Sequence, residues 1–237
     1  MKTFIELLVV IIAFSGLNQL FAVGNMELIN TQTVDMNFVK TLNILYTSDN
    51  IFLLESDDDN LILKEYMTRS SPEYFANIKK IQDAVNISNG IRPSLIRTRI
   101  EIYVPKIFND NLVFKLKSGT LTSSYNMNYT NIDLTVSSGN ITVDNFSGSG
   151  MFSVKSGNII LFLNGIVGDL SLSVNSGTIN IMTNGKISYI LDADVRSGNI
   201  RIPDIKTQTN TKAQHIIGPD PLYRIAAKCG SGNINIK

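Results

Sequence analysis

The sequence predicts an all-β protein whose second half is a β-solenoid, a β-helix-like stack with about 20 residues per coil. Three observations carry this. One phrase returns six times, as Ser118-Gly119-Thr120, Ser138-Gly139-Asn140, Ser156-Gly157-Asn158, Ser176-Gly177-Thr178, Ser197-Gly198-Asn199 and Ser231-Gly232-Asn233. Its glycines step by 20, 18, 20, 21 and then 34 residues, the near-constant spacing of a repeat architecture. Around each phrase apolar and polar residues alternate, as in Ile132, Leu134, Val136 before it and Ile141, Val143 after it, which is strand periodicity.

Each unit therefore reads as strand, Ser-Gly corner, strand and a looser turn such as Asn164-Gly165 or Asn184-Gly185. Glycine supplies the positive φ of a sharp bend, and Ser, Asn and Thr bond neighbouring backbone there. Such units could fold as hairpins of an antiparallel β-sandwich or stack as coils. The stack explains the repetition better, because equivalent residues would lie above one another as ladders. A hairpin would accept many turn sequences.

The repeated Ser-Gly-Asn-Ile phrase resembles the bacterial family of Ser-Gly-repeat β domains called putative adhesins, and is similar to the head domain of autotransporter adhesins. The run Arg99-Ile100-Glu101-Ile102-Tyr103-Val104-Pro105 resembles the strand that leads into the repeats of that family. The resemblance covers residues 39 to 237. It implies an adhesin-like or envelope-associated role and brings no catalytic residues with it.

The N-terminal elements follow in order. Lys2 and the apolar run from Leu7 to Phe14 are short for a membrane span and suit an export signal over residues 1–22, ending at Leu20-Phe21-Ala22. Glu6 interrupts that pattern; an uncleaved membrane anchor and a pilin-like start are the alternatives. Residues 23–38 read as a polar lead-in. Residues 39–105 form an N-terminal β cap, with strands at Leu42–Tyr46, Ile51–Leu54 and Leu61–Tyr66, and a solvated turn at Asp57-Asp58-Asp59-Asn60. Between residues 72 and 87 the spacing suits either a helix after Ser71-Pro72-Glu73 or paired strands, and the family resemblance favours strands. Residues 106–237 carry the repeats, continuous with the cap as one adhesin-like domain.

Composition narrows the function. Lys and Arg number 21 against 20 acidic residues, without basic tails, so nucleic acid is not an expected partner. Cys229 is the only cysteine, which excludes an intramolecular disulfide and makes a buried small apolar side chain the natural reading. His215 is the only histidine and has no cysteine or carboxylate cluster beside it. No nucleophile elbow or phosphate-cradling loop is present, and no catalytic, metal-binding or cofactor-binding residue is expected. A carbohydrate-active β-helix enzyme would need grouped charges, whereas Asp133, Asp192 and Asp194 are scattered.

The expected function is non-catalytic binding by an exported protein, in the periplasm, at the cell surface or secreted, through a polar repeat surface. A structural or sensory envelope domain is the alternative. Asn140, Asn158, Asn199 and Asn233 would form an amide ladder, bonded along the stack or displayed to a glycan or protein. The 34-residue step, which contains His215, is the expected place for a binding loop. The chain stops on a strand at Ile234-Asn235-Ile236-Lys237, so an edge is expected there that pairs with a partner or second copy or is covered by the long loop before it.

Overall fold

The computed structural model describes residues 26–183 and 187–237. The export-signal reading of residues 1–22 and the Asn184-Gly185 turn therefore lie outside the described residues. Within them the strands are β1 Glu27–Asp35, β2 Thr41–Ser56, β3 Asn60–Met67, β4 Asn77–Ile81, β5 Ala84–Ser88, β6 Thr98–Pro105, β7 Asn111–Ser123, β8 Asn131–Thr183, β9 Tyr189–Arg201, β10 Gln208–Thr209, β11 Lys212–Ile217 and β12 Arg224–Ile236. They form one open sheet, coiled on itself in solenoid-like fashion.

The corner is forced by a change of phase. In β7 the buried residues are Leu112, Phe114 and Leu116 before the corner but Leu121 and Ser123 after it. Even positions give way to odd ones. On a straight strand the second set would face the opposite side of the sheet. Exposed Lys117 and Ser118, followed by Gly119 at φ +126°, bend the chain so that both sets enter one core. The same switch recurs at Ile132, Leu134, Val136 against Ile141, Val143, and at Leu170, Leu172, Val174 against Ile179, Ile181.

Stacking is parallel and in register. Gly119 pairs with Gly139, Gly232 with Gly177, and Gly232 also with Gly198. A methyl group added to any of these glycines would strike the carbonyl oxygen of the layer before it. At Gly139 it would lie 1.7 Å from the Gly119 oxygen, at Gly157 1.7 Å from that of Gly139, and at Gly177 1.8 Å from that of Gly157. Close backbone approach and positive φ together make glycine obligatory at the corner. This parallel register is incompatible with the antiparallel sandwich.

The stack holds a layer that carries no Ser-Gly phrase. Ser48 pairs with Ser118 and Asp49 with Gly119, so β2 is a first coil, with Leu42, Ile44, Tyr46 and then Ile51, Leu53 buried in the usual two phases. Below β2 the two legs separate. Its first leg pairs with parallel β5, then antiparallel β4; its second pairs with parallel β6, then antiparallel β3 and β1. Residues 77–88 are thus paired strands, and only Pro72–Tyr74 turns helically, as a 3-10 helix. Asp57, in the turn after β2, pairs with Lys106 at 2.8 Å.

Two expectations are corrected. Residues 27–35 are a strand and not an unpatterned lead-in; their inward residues include Asn30 and Gln32, whose amides donate to Glu65 Oε2 (2.7 Å) and the Ala76 carbonyl (2.8 Å). Satisfied buried amides hid the alternation from a reading based on apolar residues. The C-terminal strand is also not an edge. β12 lies between β8 and β9, pairing with Leu170–Ile181 on one side and Ile190–Arg201 on the other. The 34-residue step places the β9 coil one layer out, folds back over it as antiparallel β10 and β11, and returns to fill the gap.

Candidate functional site

The fold lines up three columns at the corners, in the layer order β2, β7, three coils of β8, β12 and β9. The glycine column is half-buried. Beside it runs the column Asn50, Thr120, Asn140, Asn158, Thr178, Asn233, Asn199, all but exposed Asn50 half-buried. These side chains spend their hydrogen bonds on one another. Thr120 Oγ1 donates to Asn50 Oδ1 (2.9 Å), Asn158 Nδ2 to Asn140 Oδ1 (2.9 Å), the Thr178 amide to Asn158 Oδ1 (3.1 Å) and Asn199 Nδ2 to Asn233 Oδ1 (3.2 Å). A second amide pair, Asn235 Nδ2 to Asn180 Oδ1 (2.8 Å), lies two residues along. Amides used this way tie the layers together and offer little to a ligand.

On the other side of the glycines runs a column of serines, Ser48, Ser118, Ser138, Ser156, Ser176, Ser231 and Ser197, all exposed. Among the described residues none of their hydroxyls has a partner within the protein. Next to them stand Thr47, Lys117, Ser137, Lys155, Asn175, Gly230 and Arg196, exposed except for half-buried Gly230. Neighbouring layers lie about 4.8 Å apart. The two exposed columns therefore form a ridge of hydroxyls with a cation at three of its layers and no carboxylate, the Asp49 carboxyl of the first layer being buried in the glycine column.

The N-terminal end of the ridge sits on a buried ionic cluster. Arg92 bonds Asp49 Oδ1 at 2.5 Å and Glu65 Oε1 at 3.2 Å, and donates through Nε to the Tyr74 carbonyl at 2.7 Å. Thr98 donates to Asp49, and the Ala76 amide donates to Glu65 Oε2 at 2.9 Å. Burial pushes both carboxyls above their ordinary values, with the Asp49 charge adding to the effect at Glu65, against the pull of the shared guanidinium. Every charged group here is engaged within the cluster, which makes it an anchor and not a reaction centre.

The remaining predicted positions lie elsewhere. Cys229 is buried in β12 with its thiol directed at the Gly177 carbonyl (3.4 Å), and burial raises its pKa. His215 lies on β11 beside Gln208, 3.4 Å away, and the long step that carries it covers the last layer as β10 and β11. Asp192 accepts from Gln214 (2.8 Å) and pairs with Arg224; these partners hold its carboxyl below the ordinary range. Among the described residues no group of three or more His, Cys, Asp or Glu could hold a metal ion, and no helix is long and apolar enough to cross a membrane. Sequence reasoning identified the serines and glycines as corners but missed Ser48 and Asp49, for which the phase switch between Tyr46 and Ile51 was the available signal.

A known structure shares this architecture. A protein described as a putative cell adhesion protein from Clostridium sporogenes superposes with a TM-score of 0.57 at 14% identity, over 87% of this chain and 97% of its own. A putative adhesin from Bacteroides fragilis aligns over 87% of this chain and 96% of its own, with 14% identity and a TM-score of 0.42. No curated protein matches the sequence. The repeat region from residue 107 to residue 237, more than half of the chain, matches the pattern of one family, and the protein accordingly belongs to the Toastrack DUF4097 family.

Proposed function

We propose that this is a non-catalytic, exported, adhesin-like protein that binds through the corner ridge of its stack. One observation carries the reading: seven exposed serines in register, flanked by three cations and no carboxylate, make a straight polar surface whose hydroxyls have no partner among the described residues. A structural core alone requires glycine at these corners and places no demand on the residue before the serine. The description of the Clostridium sporogenes protein as a putative cell adhesion protein supports the same direction. In this reading residues 1–22 direct export, residues 39–105 cap the stack and supply its first coil with Ser48, and residues 106–237 present the other six serines of the ridge.

The test has two arms. Protease treatment of intact producing cells, with mass spectrometry of the released peptides and of the mature N-terminus, is expected to release ridge peptides from a chain that begins near Val23. Protection of those peptides in intact cells would overturn surface display. Cells displaying Ser138→Gln together with Ser176→Gln, both exposed and neutral to folding by circular dichroism, should adhere less than wild type. Undiminished adherence would remove the ridge from the binding surface.

A further inference from the structure

We infer that the ligand of the ridge is an acidic polysaccharide, a glycan strand bearing carboxylate or sulfate groups at intervals. The inference rests on the binding role proposed above and adds its chemistry. Five outward basic residues elsewhere on the stack and its caps are paired, Lys80 with Asp35, Lys106 with Glu55 and Asp57, Lys212 with Asp194, Arg224 with Asp192 and Arg99 with Glu101, while Lys40, Arg69, Lys79, Arg201, Lys206, Lys228 and Lys237 are exposed without a carboxylate partner among the described residues. What distinguishes Lys117, Lys155 and Arg196 from these is their place in the ridge, with Lys115 two residues before Lys117. All four are exposed, and among the described residues none has a carboxylate partner.

Their placement is as informative as their charge. Lys117 and Lys155 occupy the same column two layers apart, about 10 Å from the strand spacing, and Arg196 lies three layers further on. Exposed serine hydroxyls run beside them without interruption. Lys115 and Lys117 also border a hollow of about 420 Å³ whose polar edge is formed by Ser88, Asn89, Thr135 and Ser137. The carboxylate on that leg, Asp133, accepts a hydrogen bond from Thr135 Oγ1 at 3.2 Å. A chain that meets this surface must offer anions at intervals and many hydroxyls between them. Acidic glycans have that composition.

Two other polyanions fit less well. A single nucleic-acid strand carries a phosphate about every 3.4 Å and is held by aromatic stacking, but the ridge columns contain no aromatic residue and space their cations more widely. A bilayer is a broad surface that rewards apolar insertion, whereas the cations here form one narrow row among serines. Exposed pairs of this kind contribute little singly and act together along a chain, so binding should be multivalent and sensitive to salt.

The experiment measures binding of the mature full-length protein to immobilised alginate and chondroitin sulfate, with dextran as the neutral glycan and anionic phospholipid vesicles and single-stranded DNA as the other polyanions. Retention on at least one acidic glycan, absent on dextran and lost as salt approaches about 0.5 M, is expected. Lys117→Gln and Lys155→Gln should each weaken it by about 2- to 5-fold, and the triple variant with Arg196→Gln should abolish it. Lys79→Gln, an exposed lysine on β4, should leave it unchanged. Failure to bind either acidic glycan, equal binding to dextran, stronger binding to vesicles or DNA, or indifference to the triple variant would each overturn the inference. If serine substitutions still abolish adherence while the lysine variants do nothing, the binding role stands and the ligand class falls.

Discussion

The two ends of the glycine column are closed with different chemistry. At the N-terminal end the corner position is Asp49, buried at 6% exposure, with Arg92, Glu65 and Thr98 around it. At the far end the position stays glycine, and exposed Asn210 closes it: the Gly198 amide donates to Asn210 Oδ1 at 2.8 Å and the Asn210 amide donates to the Gly198 carbonyl at 3.0 Å. The cause is directional. A side chain at each corner points toward the preceding layer, so Gly119 would collide with the Asp49 oxygen at 2.0 Å, while Asp49 has no earlier corner beneath it. The first layer can carry a side chain and uses it to dock the cap. The last layer cannot, and borrows one from the returning chain.

The comparison can be broken most severely beside the C-terminal end. Removing residues 224–237 deletes a layer paired on both faces, and β9 with β10 and β11 would lose its attachment to β8. The expected outcome is loss of the single cooperative unfolding transition, followed by circular dichroism in urea; a truncated protein that unfolds like the intact one would contradict the interior placement of β12.

At the other end, Arg92→Met should cost about 3–5 kcal/mol near neutral pH, because Asp49 and Glu65 would remain buried without their cation. The cost should shrink on acidification as the two carboxyls take up protons, and urea titrations at several pH values would measure it. In the unaltered protein the linkage has a definite sign. Both carboxyls have raised pKa values in the folded state, so their contribution is complete below the ordinary carboxylate range, from about pH 4, and is lost as pH rises through the raised values. Asp49→Asn should therefore gain melting temperature relative to wild type between about pH 4 and pH 7. A constant difference would mean that Asp49 titrates normally. The exposed end is cheaper to disturb: Asn210→Ala should cost about 1–2 kcal/mol, combining a lost hydrogen bond with alanine at φ +49°. Asn210→Gly should cost less, since only the bond is lost, and thermal melts of the pair separate the two contributions.

The parts of this structure that repeat were legible, and the parts that occur once were not. Ser118-Gly119 and its successors announced the corner because the stack punishes every other residue there, and the alternation of Leu170, Leu172, Val174 announced the strand because its core face is apolar. β1 stayed hidden because Asn30 and Gln32 face inward on amide hydrogen bonds. The first coil stayed hidden because Asp49 replaces the glycine. The ridge was half legible: its serines were identified as corners, but the absence of carboxylates beside them emerges only when Lys117, Ser137, Lys155 and Arg196 are set in one column.

What the sequence by itself determined is the coil: its length, its corner, the residues it buries and the in-register ladder it builds with any equivalent coil. Those follow from φ, phase and side-chain polarity within some 20 residues. What only the tertiary structure decided is the order of the last layers. Gly177, Gly198 and Gly232 carry the same corner and offer the same register to one another, so no local preference distinguishes a stack that ends on β12 from one that ends on β9. The choice falls to the edges. With β12 inside, the end of the chain is paired on both sides, and the outermost coil is the one that β10 and β11 can cover.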